Sequence, residues 1–249
     1  MKTLWTSCVM AFSTYSRLPM PQVEWSEKNM RYTLAFFPLV GAAVGGVFAL
    51  SAWLLGLLGF GPVLRGAVLT AVPLAVTGGI HMDGFCDTVD ALSSHAPRER
   101  KLEILKDPHA GAFALIWGAV WLLVYFGLLT ELRSAATVAA GFVLSRSFSA
   151  WGVERLPSAR GGMGAQLKRG SRFPWWVLTL YLGLYLGAVA LWGDLLAGLA
   201  ALGAALLVYL GYRVLAVRQF GGFTGDLAGW FLQVCELAIL AAVVVVERW

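Results

Sequence analysis

The sequence predicts an all-α, polytopic integral membrane protein, because its composition, its long apolar runs and the placement of its charges all point to that class. Of the 249 residues, 59% are hydrophobic and only 13% are charged, whereas soluble domains carry about 25% charged residues. The apolar runs are about 20 residues long, which is enough for a helix to cross a bilayer. We therefore expect one transmembrane catalytic domain over residues 1–249, and neither a disordered chain nor a disulfide scaffold.

Seven apolar runs predict about seven transmembrane helices. They cover residues 34–58, 66–80, 110–130, 134–152, 174–192, 195–212 and 228–246. Helices are expected because a backbone in lipid has to satisfy its own hydrogen bonds, and the runs lack the alternation typical of a β-barrel. Residues 4–15 predict an N-terminal interfacial helix, since they carry aromatic side chains and no cleavage site typical of a signal peptide follows them.

Two pairs of glycines lie four residues apart within predicted spans, Gly41 with Gly45 and Gly183 with Gly187. Such pairs allow two helices to approach closely. The alternative explanation is that glycine is simply common in membrane helices.

The basic residues are distributed unequally between the two sets of loops. Sixteen of the nineteen Lys and Arg residues fall within 1–33, 81–109, 146–172 and 213–227, and the other three are Arg65, Arg133 and Arg248. This asymmetry follows the positive-inside rule and predicts that the first set is cytoplasmic, in a multi-pass protein of a bacterial or archaeal inner (plasma) membrane. Topology also accounts for the net charge of +5, because no basic face with interleaved aromatic residues indicates nucleic-acid binding.

Acidic residues are concentrated in one segment on the predicted cytoplasmic side. Six of the fourteen lie between 83 and 107, and the spacing of Asp83, Asp87 and Asp90 places them on one face of a helix. Carboxylates this close repel one another unless a cation neutralises them, and an oxygen-only ligand set favours Mg²⁺ or Mn²⁺. A solvated acidic helix and a sodium site in a transporter are alternatives that these residues leave open.

Lys106 and Asp107 stand at the break before the third apolar run. A lysine and an aspartate at a membrane boundary are suited to hold a phosphate and a metal ion respectively. The alternative is a lysine that snorkels to the interface beside a helix cap.

A glycine-rich loop over residues 221–226 contains Thr224 and Asp226. Such a loop can present backbone N–H groups to a phosphate, and Asp226 is placed to bind a metal ion or to cap a helix. Glu236 lies inside the last apolar run, where an acidic residue is a functional candidate by default. The alternative for Glu236 is a hydrogen bond to a neighbouring helix.

The remaining candidates are Arg146, in a run of small residues, and the basic loop 161–170, which is suited to closing over an anion or only to setting topology. His81 is expected to be a spectator or a base, since the three histidines lack zinc-like spacing. All candidates share the predicted cytoplasmic side, whereas a transporter places polar groups near the midplane. This favours an enzyme that acts on a phosphorylated substrate.

Together these motifs resemble the cobalamin synthase family, the adenosylcobinamide-GDP ribazoletransferases. The resemblance is carried by Gly78-Gly79-Ile80-His81-Met82-Asp83-Gly84 with Asp87 and Asp90, by residues 103–107, and by residues 221–229 with Glu236. It extends to Arg17-Leu18-Pro19, to residues 37–41 and to Ser145-Arg146, so that it covers nearly the whole chain in order.

The resemblance implies an enzyme of the late steps of cobalamin (vitamin B12) biosynthesis. Its substrates would be adenosylcobinamide-GDP and α-ribazole, or α-ribazole 5′-phosphate, its by-product GMP and its cofactor Mg²⁺. For this phosphoryl transfer we expect metal ligands at Asp83, Asp87, Asp107 and Asp226, and a base at Asp90 or His81. The expected substrate or phosphate contacts are Lys106, Arg146, Gly84, Thr224 and Glu236.

Two other functions remain open on the sequence alone. CDP-alcohol phosphotransferases share the Asp-Gly-x-x opening at Asp83-Gly84 and provide the enzymatic alternative. An ion-coupled membrane transporter is the alternative of another class. The apolar runs require a lipid bilayer as the partner of the protein. The sequence is also compatible with an oligomer.

Overall fold

The computed structural model describes residues 2–161 and 163–249, and the regular elements within these ranges are helices. In chain order they are α1 (Lys2–Tyr15), α2 (Glu27–Met30), α3 (Thr33–Leu57), α4 (Pro62–Thr77), α5 (Ile80–Ser93), α6 (Arg98–Ile104), α7 (Ala112–Glu131), α8 (Ala135–Arg155), α9 (Met163–Gly170), α10 (Trp175–Trp192), α11 (Leu195–Leu215) and α12 (Gly225–Val246). Helix α11 continues into a π-helical turn at Ala216–Phe220. The predicted all-α class is confirmed.

Each of the seven predicted apolar runs forms a long helix, namely α3, α4, α7, α8, α10, α11 and α12. Five of the described helices are long and apolar enough to cross a membrane, and a sixth span results if α4 and α5 count as one bent segment. Helix α8 falls short in hydropathy because it carries Ser145, Arg146 and Ser147, all of them buried against other helices. The described chain is thus a polytopic membrane protein with five or six candidate spans, where the sequence predicted about seven.

Helix α8 lies at the centre of the bundle and packs against α3, α10, α11 and α12. Gly41 and Gly45 of α3 lie directly against the backbone of Phe142 and Ala139 of α8, which leaves no room for a side chain. Close packing at this first glycine pair is therefore confirmed. At Gly183 and Gly187 no described atom lies within 4 Å of an added Cβ, so this second pair makes no close packing within the described chain.

A sharp bend separates α4 from α5. Gly78 and Gly79 have φ values of +66° and +78°, which glycine adopts without the strain that a side chain would bring. The two helices consequently meet at 94°. Helix α5 then runs across the beginnings of α7 and α12, with Gly84 against Asp226. The bend therefore brings the acidic motif next to the glycine-rich loop, although the two segments lie far apart in the sequence.

The outward faces of α7, α10 and α11 carry large apolar side chains. Leu115, Leu191, Trp192 and Leu207 each expose about 70% or more of their surface. Exposed apolar area on this scale destabilises a protein in water, but it is favourable in contact with lipid. Helix α1, the predicted interfacial helix, is 14 residues long and exposes Trp5.

Candidate active site

The predicted acidic cluster forms where α5 meets the beginning of α12. Asp83 and Asp87 are one turn apart on α5, and Asp226 lies in the first turn of α12. A Cβ added to Gly84 would lie 2.8 Å from the backbone oxygen of Asp226 and 2.9 Å from its Cα. The absence of a side chain at residue 84 therefore allows the two helices to bring these carboxylates together. Asp87 interacts electrostatically with Asp83, Asp90 and Asp226.

Asp226 is held by a local network of polar contacts. The Thr224 side chain caps α12 by accepting from the backbone N–H of Leu227 (3.2 Å), and its hydroxyl lies 3.3 Å from Oδ2 of Asp226. Nη2 of Arg160 donates to the same Oδ2 atom at 2.6 Å. Asp226 therefore faces both the acidic cluster and a guanidinium, which is an arrangement suited to a substrate that carries phosphates.

The loop that supplies Arg160 is fixed against the glycine-rich loop by backbone hydrogen bonds. Phe223 donates to the carbonyl of Pro157 (2.8 Å), and Ala159 donates to the carbonyl of Phe223 (3.0 Å). The guanidinium of Arg98 packs directly over Gly221, where a side chain would overlap it. The contacts place Arg160 beside the acidic cluster and Arg98 over the glycine-rich loop. Gly162, part of the predicted closing loop, lies outside the described residues.

Two cavities adjoin the cluster, and Asp83 lines both of them. The first, here called the His81 cavity, has a volume of about 140 Å³ and is bounded largely by apolar and aromatic side chains from α1, α3, α5, α8 and α12. The second, here called the Arg17 cavity, has a volume of about 770 Å³ and lies between the end of α1 and the α4–α5 bend. Its polar lining includes Ser13, Thr14, Ser16 and Thr77.

Arg17 is positioned by the bend itself. Its backbone N–H donates to the carbonyl of Val76 (2.8 Å), and its side chain packs against Gly78. A residue with a Cβ at position 78 would displace this side chain. Arg17 and Asp83 thus line the same cavity.

Asp90 caps the beginning of α7. Its Oδ2 accepts from the backbone N–H of Gly111 (2.6 Å), and its Oδ1 accepts from that of Ala114 (2.9 Å). Both oxygens therefore satisfy amides that the helix itself leaves without partners. Each oxygen of Asp90 is thus engaged by one backbone amide of α7.

Lys106 and Asp107 lie on the exposed segment between α6 and α7. Asp107 accepts hydrogen bonds from the backbone N–H (3.0 Å) and from the ring (2.8 Å) of His109, and these bonds lower the pKa of its carboxyl. Among the described residues, neither side chain lines the His81 cavity or the Arg17 cavity. The structure does not bring these two predicted residues to the acidic cluster.

Arg146 and Glu236 are paired with each other inside the bundle. Arg146 lies within α8, not at the start of a loop, and its Nη1 contacts Oε1 of Glu236 and the hydroxyl of Ser145. The two side chains are 1% and 4% exposed. Within the described chain neither lines either cavity, so the structure shows the alternative arrangement for Glu236, a bond to a neighbouring helix.

Sequence reasoning did not select Arg17, Arg98 or Arg160 as site residues. Arg17 was visible only as part of a resemblance, and the other two looked like ordinary cytoplasmic charges. A signal for Arg160 existed in the loop, because a basic residue beside consecutive glycines is a common anion-binding arrangement. Their placement depends on loop pairings that local sequence does not encode.

Comparison with known proteins agrees with this arrangement of motifs. Residues 7–244 match the family model described as cobalamin-5-phosphate synthase. The chain belongs to this family. Two similar proteins, each named adenosylcobinamide-GDP ribazoletransferase, come from Lachnoclostridium phytofermentans (43% identity, 99% of this chain and 95% of the relative) and Desulfitobacterium hafniense (36% identity, 96% and 95%).

A third such relative, from Geobacillus thermodenitrificans, is 32% identical over 94% of this chain and 93% of its own length. No solved structure matches the chain. The family match extends over nearly the whole sequence, so it covers the acidic motif, both loops and α12 together. It does not support the CDP-alcohol phosphotransferase and transporter alternatives.

Proposed function

We propose that this member of the cobalamin-5-phosphate synthase family is an adenosylcobinamide-GDP ribazoletransferase of cobalamin biosynthesis. It joins adenosylcobinamide-GDP to α-ribazole, or to α-ribazole 5′-phosphate, and forms adenosylcobalamin or its 5′-phosphate with release of GMP. The observation that carries the proposal is the position of Asp83, which lines both cavities and lies beside Asp87 and Asp226. Two separate spaces that meet at carboxylates suit a reaction that joins two large substrates.

The reaction is a phosphoryl transfer. A ribose hydroxyl of the ribazole attacks the phosphorus that bears cobinamide, the bond from this phosphorus to the bridging oxygen breaks, and GMP leaves. Because such transition states need positioning and charge neutralisation more than covalent help, the arginines at the site have a direct role. We assign Arg17 and Arg160 to the diphosphate oxygens.

The proton of the attacking hydroxyl passes to a carboxylate of the α5–α12 cluster. The chemistry of phosphoryl transfer suggested Asp90 or His81 for this step. Asp90 is engaged by two α7 amides, and His81 lies in the wall of an apolar cavity. Asp83 reaches both cavities, and we therefore propose it, not Asp90, as the carboxylate nearest the reacting hydroxyl.

The donor set of the cluster fits Mg²⁺. Asp83, Asp87 and Asp226 offer oxygen ligands only, which is the chemistry that this ion prefers. In the described ranges no three acidic, histidine or cysteine side chains are grouped so that they could hold a metal ion by themselves. One or two of these carboxylates would therefore hold Mg²⁺ only together with substrate phosphates, which is a common mode for this ion. When bound, the ion would neutralise charge on the diphosphate.

The decisive test is release of GMP from adenosylcobinamide-GDP and α-ribazole 5′-phosphate by the purified protein in detergent, with and without EDTA. We expect release that EDTA stops and added Mg²⁺ restores. The Asp83→Asn variant should lose turnover while remaining folded, whereas Glu103→Gln, an exposed carboxylate paired with Arg100 on α6, should retain it. The proposal fails if the wild-type protein releases no GMP, and the metal assignment fails if EDTA has no effect.

We also propose that the active site faces the cytoplasm, as the distribution of basic residues predicts. The exposed residues His95 and Arg133 lie in loops on opposite predicted sides. In a background with Cys8, Cys86 and Cys235 replaced by serine, each is changed to a single cysteine. A membrane-impermeant maleimide added to intact spheroplasts should label residue 133 and not residue 95. The reverse pattern would place the site outside.

A further inference from the structure

The His81 cavity has the size and the walls of a site for one flat aromatic group. Its volume is about 140 Å³, and a protein cavity of about 150 Å³ is known to bind benzene. The rings of Tyr15, Phe37 and His81 lie together in its wall, with centroid distances of 4.3 to 6.1 Å. Aromatic walls of this kind favour a ligand that stacks against them.

His81, which lines this cavity, has a ring nitrogen that lacks a partner. His81 is 4% exposed, and within residues 2–161 and 163–249 no protein group forms a hydrogen bond with its Nε2 atom. A buried polar atom that stays unpaired is costly, so most such atoms in folded proteins have a partner. A small, mostly apolar pocket with a few polar groups is also the usual design of a ligand site. The unpaired nitrogen therefore points to a ligand that supplies the missing hydrogen bond.

The cavity also lies in the right place for a substrate. It shares Ile80 and Asp83 with the Arg17 cavity, and Asp226 belongs to its lining. A group held in the His81 cavity is thus adjacent to the carboxylate of Asp83, which also lines the Arg17 cavity. Each of the two substrates carries a bicyclic base on a ribose, but the guanine of adenosylcobinamide-GDP has several donors and acceptors that this largely apolar wall would leave unpaired. The ribazole base has a single free acceptor nitrogen and suits the cavity better.

We propose that the His81 cavity binds the aromatic base of the ribazole substrate, with a ring N–H of His81 donating to the unsubstituted nitrogen of that base. This inference rests on the proposed function. A benzimidazole linked to ribose through one nitrogen keeps one ring nitrogen with a free lone pair, which is the acceptor that His81 needs. The ribose then extends from the cavity toward Asp83, where its hydroxyl meets the diphosphate held from the other side.

The proposed hydrogen bond is tested by replacing one atom of the ligand and, separately, one side chain of the protein. The ligands are α-ribazole 5′-phosphate and its indole analogue, in which the free ring nitrogen is replaced by C–H. With wild-type protein, we expect the KM for the indole analogue to be at least about tenfold higher, because a buried donor would then lose its acceptor. With His81→Phe, which retains a flat ring beside Tyr15 and Phe37, the two ligands should have equal KM values.

The KM for adenosylcobinamide-GDP should stay unchanged in His81→Phe. The inference is overturned if His81→Phe still has a lower KM for α-ribazole 5′-phosphate than for the indole analogue. It is also overturned if the wild-type protein has equal KM values for the two ligands, which is the result expected if the cavity holds a lipid chain instead. Absence of GMP release by wild type would instead refute the proposed function. The two failures are therefore distinguishable.

A second variant tests the cavity without touching His81. Ala228 on α12 lines the cavity, and Ala228→Leu would fill part of it. We expect an increase of about tenfold or more in the KM and in the equilibrium Kd for α-ribazole 5′-phosphate, with no change for adenosylcobinamide-GDP. The matched control is Ala242→Leu, near the other end of the same helix and half-buried. Equal effects of the two substitutions would contradict the assignment.

Discussion

Arg160 and Asp226 form an ion pair between the loop that follows α8 and the beginning of α12, with 2.6 Å between Nη2 and Oδ2. About one fifth of each side chain is exposed. The guanidinium also donates to the carbonyls of Leu102 and Leu105 at 3.4 Å, so it joins α6 to the same site. A single arginine therefore connects three segments at the place where the diphosphate is proposed to bind.

Replacing Arg160 with alanine should weaken binding of the phosphorylated substrate. A charge-assisted hydrogen bond contributes about 1.5–3 kcal/mol, so we expect the KM for adenosylcobinamide-GDP to rise roughly 10- to 100-fold, measured by GMP release. The KM of Arg160→Lys should lie between those of the wild type and Arg160→Ala, because lysine keeps the charge but lacks the planar donors of arginine. Arg100→Ala removes an exposed pair with Glu103 and should change little. Equal KM values in Arg160→Ala and wild type would contradict the assignment.

Gly84→Ala tests whether the contact between α5 and α12 sets the site. The added Cβ would lie within 3 Å of the Asp226 backbone, so the helices have to separate at a cost of about 1–3 kcal/mol. We expect a lower unfolding temperature in detergent and a large loss of GMP release. Gly46→Ala on α3 is the control, because no described atom lies within 4 Å of its added Cβ. If Gly84→Ala were as active as Gly46→Ala, tight contact would not be required.

The helices and the acidic motif could be predicted from the sequence because their signals are local. Apolar runs determine the spans, and Gly78-Gly79 marks the bend between α4 and α5. The spacing of Asp83 and Asp87 places them on one helical face. The length of α8 fits an ordinary span, but Ser145 and Arg146 are buried against Glu236 of α12, a partner that the local sequence does not reveal.

The partners of polar side chains could not be predicted from the sequence. Asp90 looks equivalent to Asp83 in the motif. In the structure, however, Asp90 caps α7, because it lies within hydrogen-bonding distance of the first amides of that helix. Arg160 reaches Asp226 only because the loop after α8 pairs with residue 223. Such contacts depend on the three-dimensional arrangement of distant segments, which periodicity does not specify.

Asp90→Asn and Asp83→Asn should have opposite effects, although both remove one negative charge from α5. Asparagine at position 90 keeps one acceptor oxygen for the α7 amides where aspartate offers two, and loss of a helix cap costs about 0.5–2 kcal/mol. We expect Asp90→Asn to unfold at a lower temperature in detergent while keeping its KM values. Asp83→Asn should keep its unfolding temperature and lose GMP release. A normally stable but inactive Asp90→Asn would instead support the role of base that the sequence analysis predicted.

The pair of Arg146 and Glu236 offers a test of whether two buried charges stabilise the bundle or bind phosphate. Each is almost fully buried, and Ser145 completes the network with Glu236. Removing one partner leaves an uncompensated buried charge and should cost about 3–5 kcal/mol, whereas replacing both with apolar residues of similar size is often close to neutral. Thermal unfolding in detergent should therefore show that Arg146→Met and Glu236→Leu are each strongly destabilising.

The double variant Arg146→Met/Glu236→Leu should recover most of the lost stability, because no unpaired charge remains in the bundle. If the pair is structural, the recovered protein also releases GMP with near wild-type KM values for both substrates. If instead Arg146 moves to contact a phosphate, as the sequence suggested, the double variant is stable and its KM for adenosylcobinamide-GDP rises more than tenfold. Stability and KM measured on the same preparations therefore separate the two roles, since a structural ion pair affects only the first.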